Sequence, residues 1–169
     1  MTTDAVSTDA TTTESRLPNP LKTVPEFGPV AEALFKAVGN GSVPQTTINL
    51  VHLRTGQLVG NTYLTVMHTG SLRRAGESEE RITGVSSWHD APYFTDAERA
   101  ALALVEAVLT PNPHGERVSA DLYAEVSRHY DEKALTTLAF AIGQGFFFIP
   151  LATIGRPLPG VAPTEQWRD

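Results

Sequence analysis

Residues 95–108, with the sequence TDAERAALALVEAV, decide the fold class of this chain. They open with a Thr-x-x-Glu capping box, Thr95 to Glu98, in which the two side chains bind the free backbone N–H groups at the start of a helix. Alanine, the strongest helix former, follows, and Leu102, Val105 and Val108 recur at helical spacing. The stretch therefore predicts an amphipathic helix that begins at Thr95.

On both sides of this helix, further predicted N-caps and helix-breaking residues divide the chain into helices. Ser78, Ser119 and Asp131 are predicted N-caps, and Pro44 suits the first turn of a helix. Glycines and prolines supply the breaks, at Gly39, Gly41, Gly60, Gly76, Pro111 and Pro113. No stretch shows the strict alternation of consecutive strands. The sequence predicts an all-α domain of about seven helices.

Prolines mark the two ends of the helical region. Pro18, Pro20 and Pro25 predict an extended, non-helical segment across the surface, and Pro150 is expected to kink or end the last helix. Residues 1–20 begin with a Thr-, Ser- and Asp-rich stretch that has little to bury, which favours a flexible tail. We expect a single domain over residues 21–169 of this 18.2 kDa chain.

Composition limits the partners that we expect. The net charge is −6 and the basic residues are scattered, so the chain lacks the basic stripe that follows nucleic-acid phosphates. No apolar run approaches the roughly 20 residues of a membrane-spanning helix, so we expect no membrane partner. The first residues lack the basic and apolar regions of a secretory signal, and we expect a cytoplasmic protein.

Cysteine is absent, which excludes disulfides, thiolate nucleophiles and zinc-thiolate sites. His52, His89, His114 and His129 are separated along the chain and share no helical ligand pattern, so we expect no metal site. No glycine-rich phosphate loop is present. We expect no cofactor.

A family resemblance is carried by residues in the middle of the chain, roughly residues 34–142. These are Leu53-Arg54, Gln57-Leu58, Gly60, Tyr63, Met67-His68, Leu72-Arg73, Ala75-Gly76, Glu79-Glu80-Arg81, Ser87-Trp88 and residues 94–103, FTDAERAALA. The chain resembles the alkylhydroperoxidase D and carboxymuconolactone decarboxylase family. The resemblance implies an all-helical fold, homotrimers or homohexamers, and a site between helices near subunit contacts.

In the redox branch of that family, the site is a Glu, a Cys-x-x-Cys pair and a His four residues after the second Cys. Alignment on Gly60 and His68 places Asn49 at the Glu position and Asn61 and Leu64 at the Cys positions. Only the His remains, and neither Asn nor Leu can attack or resolve a peroxide. Peroxidase chemistry of this type is excluded. The decarboxylase branch resembles this fold yet acts without redox cysteines or a cofactor, on a small carboxylated lactone.

His68 and Asn61 are the predicted catalytic residues. An imidazole is the usual general acid or base near neutral pH, although a lone His on an apolar helix is often only structural. Asn61 could donate a hydrogen bond to a substrate oxyanion, or could be a helix N-cap beside Gly60.

Asn49, Tyr63 and Leu64 are the predicted substrate-binding residues. Asn49 could hold a substrate carbonyl with its amide, and otherwise would be an exposed helix residue. Tyr63 could present its hydroxyl to the same cavity, or could pack in the core. Leu64 would make the vacated cavity more apolar.

Two functions fit these residues. The first is a cofactor-independent acid–base enzyme, of the lyase, decarboxylase, isomerase or cyclase type, that acts on a small carbonyl- or carboxylate-bearing molecule. The second is a non-catalytic oligomer that binds a ligand or supports an assembly.

Overall fold

The computed structural model describes residues 14–166, and all of their regular structure is helical. Eight α-helices and two 3₁₀ helices follow in order: α1 Pro20–Thr23, α2 Phe27–Val38, α3 Gln45–Leu58, α4 Thr62–Arg74, α5 Glu79–Gly84, the 3₁₀ helix Val85–Ser87, α6 Asp96–Leu109, α7 Ala120–His129, α8 Glu132–Gly155 and the 3₁₀ helix Pro163–Glu165. The predicted all-α class is confirmed.

The capping residues lie where the sequence placed them. The Thr95 Oγ1 atom accepts a hydrogen bond from the backbone N–H of Glu98 at 3.2 Å, and Glu98 Oε2 accepts one from the Thr95 N–H at 2.8 Å. Side-chain oxygens of Ser78, Ser119 and Asp131 accept hydrogen bonds at the starts of α5, α7 and α8. Local side-chain chemistry therefore determines these helix starts.

The proline-rich segment before α2 is not entirely extended, which corrects the prediction. Pro20 is the first residue of the short helix α1, where the missing N–H of proline would have no helical partner in any case. Asn19 caps this helix, since its Oδ1 accepts a hydrogen bond from the Leu21 N–H at 3.0 Å. This four-residue helix is the difference between the seven expected helices and the eight found.

Pro150 does not end α8, which continues to Gly155. A proline inside a helix costs about 3 kcal/mol because it removes a backbone hydrogen bond. Ala152 and Gly155, beyond the proline, are buried, and this burial offsets that cost.

Helix α8 is long and apolar enough to cross a membrane, by length and composition alone, so the expectation that no apolar stretch reaches this length was wrong. A core helix meets the same criteria, and the absence of a membrane partner stays a prediction.

Helix α3 lies at the centre and packs against α4, α6 and α8. Gly60, with a φ of 64°, occupies the turn between α3 and α4. Gly56 lets the two helices approach closely, because a Cβ atom there would lie 2.9 Å from the Thr65 backbone nitrogen. Ile48 and Val51 join one hydrophobic cluster and Leu50 and Leu53 join another, so α3 is buried on opposite sides.

Candidate functional site

A cavity of about 1000 Å³ is the main candidate site. Its walls come from α2, α3, α4 and α8, and further lining residues precede α2 or follow α8, among them Ser15, Leu17, Asn19, Pro20 and Leu21. Most of the lining side chains are apolar, and Glu32 is the one that carries a formal charge at neutral pH within the part of the chain that the structure describes. Such a predominantly apolar lining with a few polar groups is typical of small-molecule sites.

Two histidines from neighbouring helices meet at this cavity. The ring centres of His52 on α3 and His68 on α4 are 4.9 Å apart, with an angle of 45° between the ring planes. His52 Nε2 lies 2.9 Å from the carbonyl oxygen of Ala141 on α8. Because a carbonyl only accepts, Nε2 carries the His52 proton and donates it to this bond. The bond holds the His52 ring beside His68.

Burial keeps both imidazoles neutral. It lowers the pKa of His52, against the smaller opposing effect of the bond to Ala141. Burial, and to a lesser extent the neighbouring His52, lowers the pKa of His68 from 6.5 to about 3. At neutral pH, His68 is therefore an unprotonated imidazole in an apolar cavity, available to accept a hydrogen bond or a proton.

Two buried polar atoms of cavity-lining residues have no hydrogen-bond partner among residues 14–166. They are His68 Nδ1 and Gln144 Nε2, both buried, and both side chains line the cavity. Gln144 is only 3% exposed, so water does not compensate the amide from the outside. Because an unpaired buried polar group costs about 1–3 kcal/mol, buried groups of this kind are normally paired with protein, water or a ligand. We call His52, His68 and Gln144 the polar group of the cavity lining.

Three phenylalanines form what we call the aromatic wall: Phe27 and Phe35 of α2, and Phe148 of α8. The Phe35 and Phe148 ring centres are 5.7 Å apart, and Phe27 meets Phe148 edge-on at 6.2 Å. These separations are within the range of favourable aromatic contacts. The wall offers ring surfaces to an occupant.

The segment before α1 lies against the end of α8 and lines the cavity. The Ser15 Oγ atom and the Arg16 backbone N–H both donate to the Gly155 carbonyl oxygen, at 3.0 and 2.6 Å. Leu17 fills the space beside Gly155, where a Cβ atom would lie 3.2 Å from Leu17 Cδ1. Ser15, Leu17, Asn19 and Pro20 of the predicted tail therefore line the cavity, while residues 1–13 of that tail lie outside the described residues.

The structure brings together three of the five predicted site residues. His68, Tyr63 and Leu64 line the cavity. Tyr63 is half-buried, and burial raises the pKa of its hydroxyl. Their roles toward a substrate stay predictions.

Asn61 and Asn49 are not among the cavity-lining residues. Asn61 is the N-cap of α4, where its Oδ1 accepts a hydrogen bond from the Leu64 N–H at 3.0 Å. Asn49 is a partly buried residue of α3. The geometry thus supports the capping alternative for Asn61, and it offers no cavity contact for either amide.

Sequence reasoning missed His52 and Gln144. For His52 a signal was present, because it lies eight residues before Gly60 and His68 lies eight residues after it. Residues equidistant from the turn of a helical hairpin lie side by side, so this symmetry predicts the pairing once the hairpin is assumed. Gln144 had no such signal, because its approach depends on how α8 packs on α3.

No group of three or more potential metal-binding side chains from His, Asp and Glu is gathered within residues 14–166. His52 and His68 are a pair without a carboxylate partner, and the Nε2 atom of His52 is used by Ala141. This pair does not fit the three or four ligands of a typical zinc site.

Comparison with known proteins places the chain in a family. Residues 25–107 match the model of the carboxymuconolactone decarboxylase family. The uncharacterized protein YdfG of Bacillus subtilis (strain 168) is 33% identical over 121 residues, which cover 71% of this chain and 80% of YdfG. The uncharacterized protein YnjA of Escherichia coli (strain K12) is 35% identical over 66 residues, 39% of this chain and 35% of YnjA.

Solved structures share the fold. ATU0492 of Agrobacterium tumefaciens, a protein of unknown function with a suggested assignment as the antioxidant defence protein AhpD, has a TM-score of 0.77 and 27% identity, covering 88% of this chain and 100% of that chain. The debrominase Bmp8, solved without ligand and, as a variant, with 2,3,4-tribromopyrrole, has a TM-score of 0.73 and 20% identity, covering 88% of this chain and 80% of Bmp8. The chain belongs to the carboxymuconolactone decarboxylase family, as a member without the Cys-x-x-Cys pair.

Proposed function

We propose that the protein is an enzyme that moves a proton on a small carbonyl-bearing organic molecule, with His68 as the base. The observation that carries this proposal is the pair of unpartnered buried atoms, His68 Nδ1 and Gln144 Nε2, at one apolar cavity. One is on an imidazole that can take a proton, and the other is an amide donor for a developing oxyanion.

The proposed step is the removal of a proton from the carbon next to a carbonyl. The C–H bond breaks, its proton joins the neutral His68 imidazole, and its electron pair forms an enolate whose negative charge lies mostly on oxygen. The Gln144 amide donates to that oxygen, and the imidazolium and enolate stabilise each other in the low-dielectric cavity. Return of the proton to another carbon gives isomerisation, and decarboxylase or cyclase steps would use a related enolate.

Gln144 takes the role that the sequence suggested for Asn61 and Asn49. All three amides have N–H donors, but only Gln144 lines the cavity. A carbonyl suits the site better than a carboxylate, because no Lys or Arg side chain lines the cavity within the described residues. An ionised carboxylate would enter without a fixed cationic partner.

The family supports a catalytic role in general terms. A debrominase has the same fold, so the fold accommodates chemistry on small molecules. Fold does not determine the reaction, and the reaction of this chain is inferred from its own site.

A ligand-binding protein without catalysis is the second candidate. The pKa of about 3 favours it, because a nitrogen that holds a proton so weakly is a poor base unless the substrate stabilises the imidazolium. Leu64, at a redox-cysteine position of the family, adds apolar surface to the cavity and suits simple binding equally well.

Exchange of α-protons for deuterium tests the proposed function. Aryl ketones are incubated with the protein in D₂O near neutral pD, and exchange is followed by proton NMR. We expect exchange with the wild type and a loss of about a hundredfold or more with His68→Gln, because an amide cannot accept the proton. Asn61→Ala is the matched control, and it should keep the exchange rate within a few-fold. A folded His68→Gln protein with near-normal exchange would exclude His68 as the base, whereas an absence of exchange with the wild type would favour the binding-protein candidate.

A further inference from the structure

The size of the cavity restricts its occupant. An apolar cavity of roughly 150 Å³ holds one benzene molecule, and this cavity measures about 1000 Å³. A single ring would leave most of the apolar lining without contacts, which forfeits dispersion attraction. The volume indicates a molecule of at least two rings.

The arrangement of the lining restricts the shape and polarity of the occupant. Phe27, Phe35 and Phe148 of the aromatic wall offer ring surfaces. In the polar group of the lining, Gln144 has an amide nitrogen without a partner, and an oxygen atom of a ligand would accept its hydrogen bond. A flat aromatic body with oxygen at one edge fits both features.

Charge gives a further restriction. Within the described residues, the cavity lining includes Glu32 but no Lys or Arg. The acidic side chain would repel an anion, and no fixed cation would compensate the loss of its hydration. The occupant is therefore not an anion.

From these features we infer that the site binds an aromatic molecule of two or more fused rings that has no anionic group and carries a ring hydroxyl or ring carbonyl. The inference rests on the proposed function for the choice of this cavity as the active site. It adds the substrate class, which the proton-transfer chemistry alone does not define. A ring hydroxyl and a ring carbonyl can both place an oxygen at the Gln144 amide.

Binding of three naphthalene compounds tests the inference. Naphthol, naphthalene and naphthoate share one ring system and differ in the oxygen and the charge, and their fluorescence can be followed in a titration. We expect saturable naphthol binding and at least about tenfold weaker binding of naphthalene and of naphthoate, since one lacks the oxygen and the other carries a charge. Naphthoate binding as tightly as naphthol would overturn the inference, as would the absence of saturable naphthol binding.

Two variants separate the polar and aromatic contributions. Gln144→Leu should weaken naphthol binding about tenfold and leave naphthalene binding within about twofold, because only naphthol uses the amide. Phe35→Leu should weaken both compounds alike, because Phe35 is part of the aromatic wall. Gln144→Met replaces Gln144→Leu if the latter does not fold. Equal losses of both compounds on Gln144 substitution would contradict the assigned amide contact.

The two proposals fail in different experiments. Naphthol binding that depends on Gln144, together with an absence of ketone proton exchange, would overturn the proposed enzyme and support the ligand class. Exchange that depends on His68 without naphthol binding would support the enzyme and overturn the ligand class. Circular dichroism of each variant confirms that a loss is not a loss of fold.

Discussion

His52 and His68 face each other across the α3–α4 hairpin, with their ring centres 4.9 Å apart, and His52 is held there by the Ala141 carbonyl. Burial disfavours a positive charge on either ring. If one ring were protonated, its charge would also repel a proton on the other ring. The pair therefore stays neutral through the physiological pH range.

The first prediction concerns stability in acid. Both histidines have lowered pKa values in the folded chain, so the unfolded chain takes up protons below about pH 6.5 while the folded chain does not. The contribution of the two histidines to the free energy of unfolding therefore has its full value above that pH, and it falls as the pH decreases toward about 3. Between about pH 8 and about pH 5, His68 alone should account for a loss of about 2 kcal/mol. Urea unfolding at both pH values measures it.

His68→Gln is the variant for this measurement, because glutamine does not titrate. The variant should lose less stability between the two pH values than the wild type, by about the amount assigned to His68. Equal losses in the two proteins would show that His68 is not buried in its neutral form.

Asn61→Ala tests the assignment of Asn61 as an N-cap. Removal of the bond from Oδ1 to the Leu64 N–H should lower the free energy of unfolding by about 1 kcal/mol. Proton exchange on ketones should stay within a few-fold of the wild type, because Asn61 does not line the cavity. A hundredfold loss of exchange in a stable variant would instead restore the oxyanion role that the sequence suggested.

Gly56→Ala tests the close packing of α3 on α4. Its Cβ atom would lie 2.9 Å from the backbone nitrogen of Thr65, which cannot move without the helix. We expect a loss of about 1–3 kcal/mol, as for other overpacked sites. Gly143→Ala is the matched control, since no atom beyond its chain neighbours and the adjacent backbone of α8 lies within 4 Å of its Cβ position among the described residues, and it should gain about 0.5–1 kcal/mol from helix propensity. Equal changes in the free energy of unfolding of the two variants would show that α3 and α4 can move apart without a loss of stability.

The oligomeric state is a further prediction. Phe140, Phe146, Phe147 and Ile154 of α8 are large apolar residues that are 37–62% exposed, which indicates a surface that another molecule covers. The family resemblance favours a homotrimer or homohexamer as the assembly that covers it. Light scattering at micromolar concentration should give the mass of three or six chains. A mass near the 18.2 kDa of one chain would contradict this prediction.

Peroxide reduction is predicted to be absent. With no cysteine in the chain, no thiolate can attack an O–O bond and no second thiol can resolve the product. Metal-free protein should consume no alkyl hydroperoxide above the buffer rate with any dithiol donor. Turnover that scales with protein concentration would show that another residue reduces peroxide.

Signals in the sequence were sufficient to predict the helix starts, the family and part of the candidate site. The Thr95–Glu98 capping box, and the caps Ser78, Ser119 and Asp131, act over three or four residues, and they hold in the structure. His68, Tyr63 and Leu64 share one helix, and they were predicted with the help of the family resemblance, aligned on Gly60 and His68. The absence of cysteine, which excludes thiol chemistry, also needs no structure.

Contacts between distant parts of the chain were decided only by the tertiary structure. The spacing of His52 and His68 about Gly60 became informative only once the α3–α4 hairpin was known, and Gln144 was one residue of an apolar helix until α8 packed on α3. Asn61 had both a capping and a catalytic interpretation, and its direction at the start of α4 supports the cap. Pro150 breaks helices locally, yet burial of the residues beyond it carries α8 to Gly155. Sequence patterns report local hydrogen bonding and periodicity, whereas a site built from four helices depends on packing that no local pattern contains.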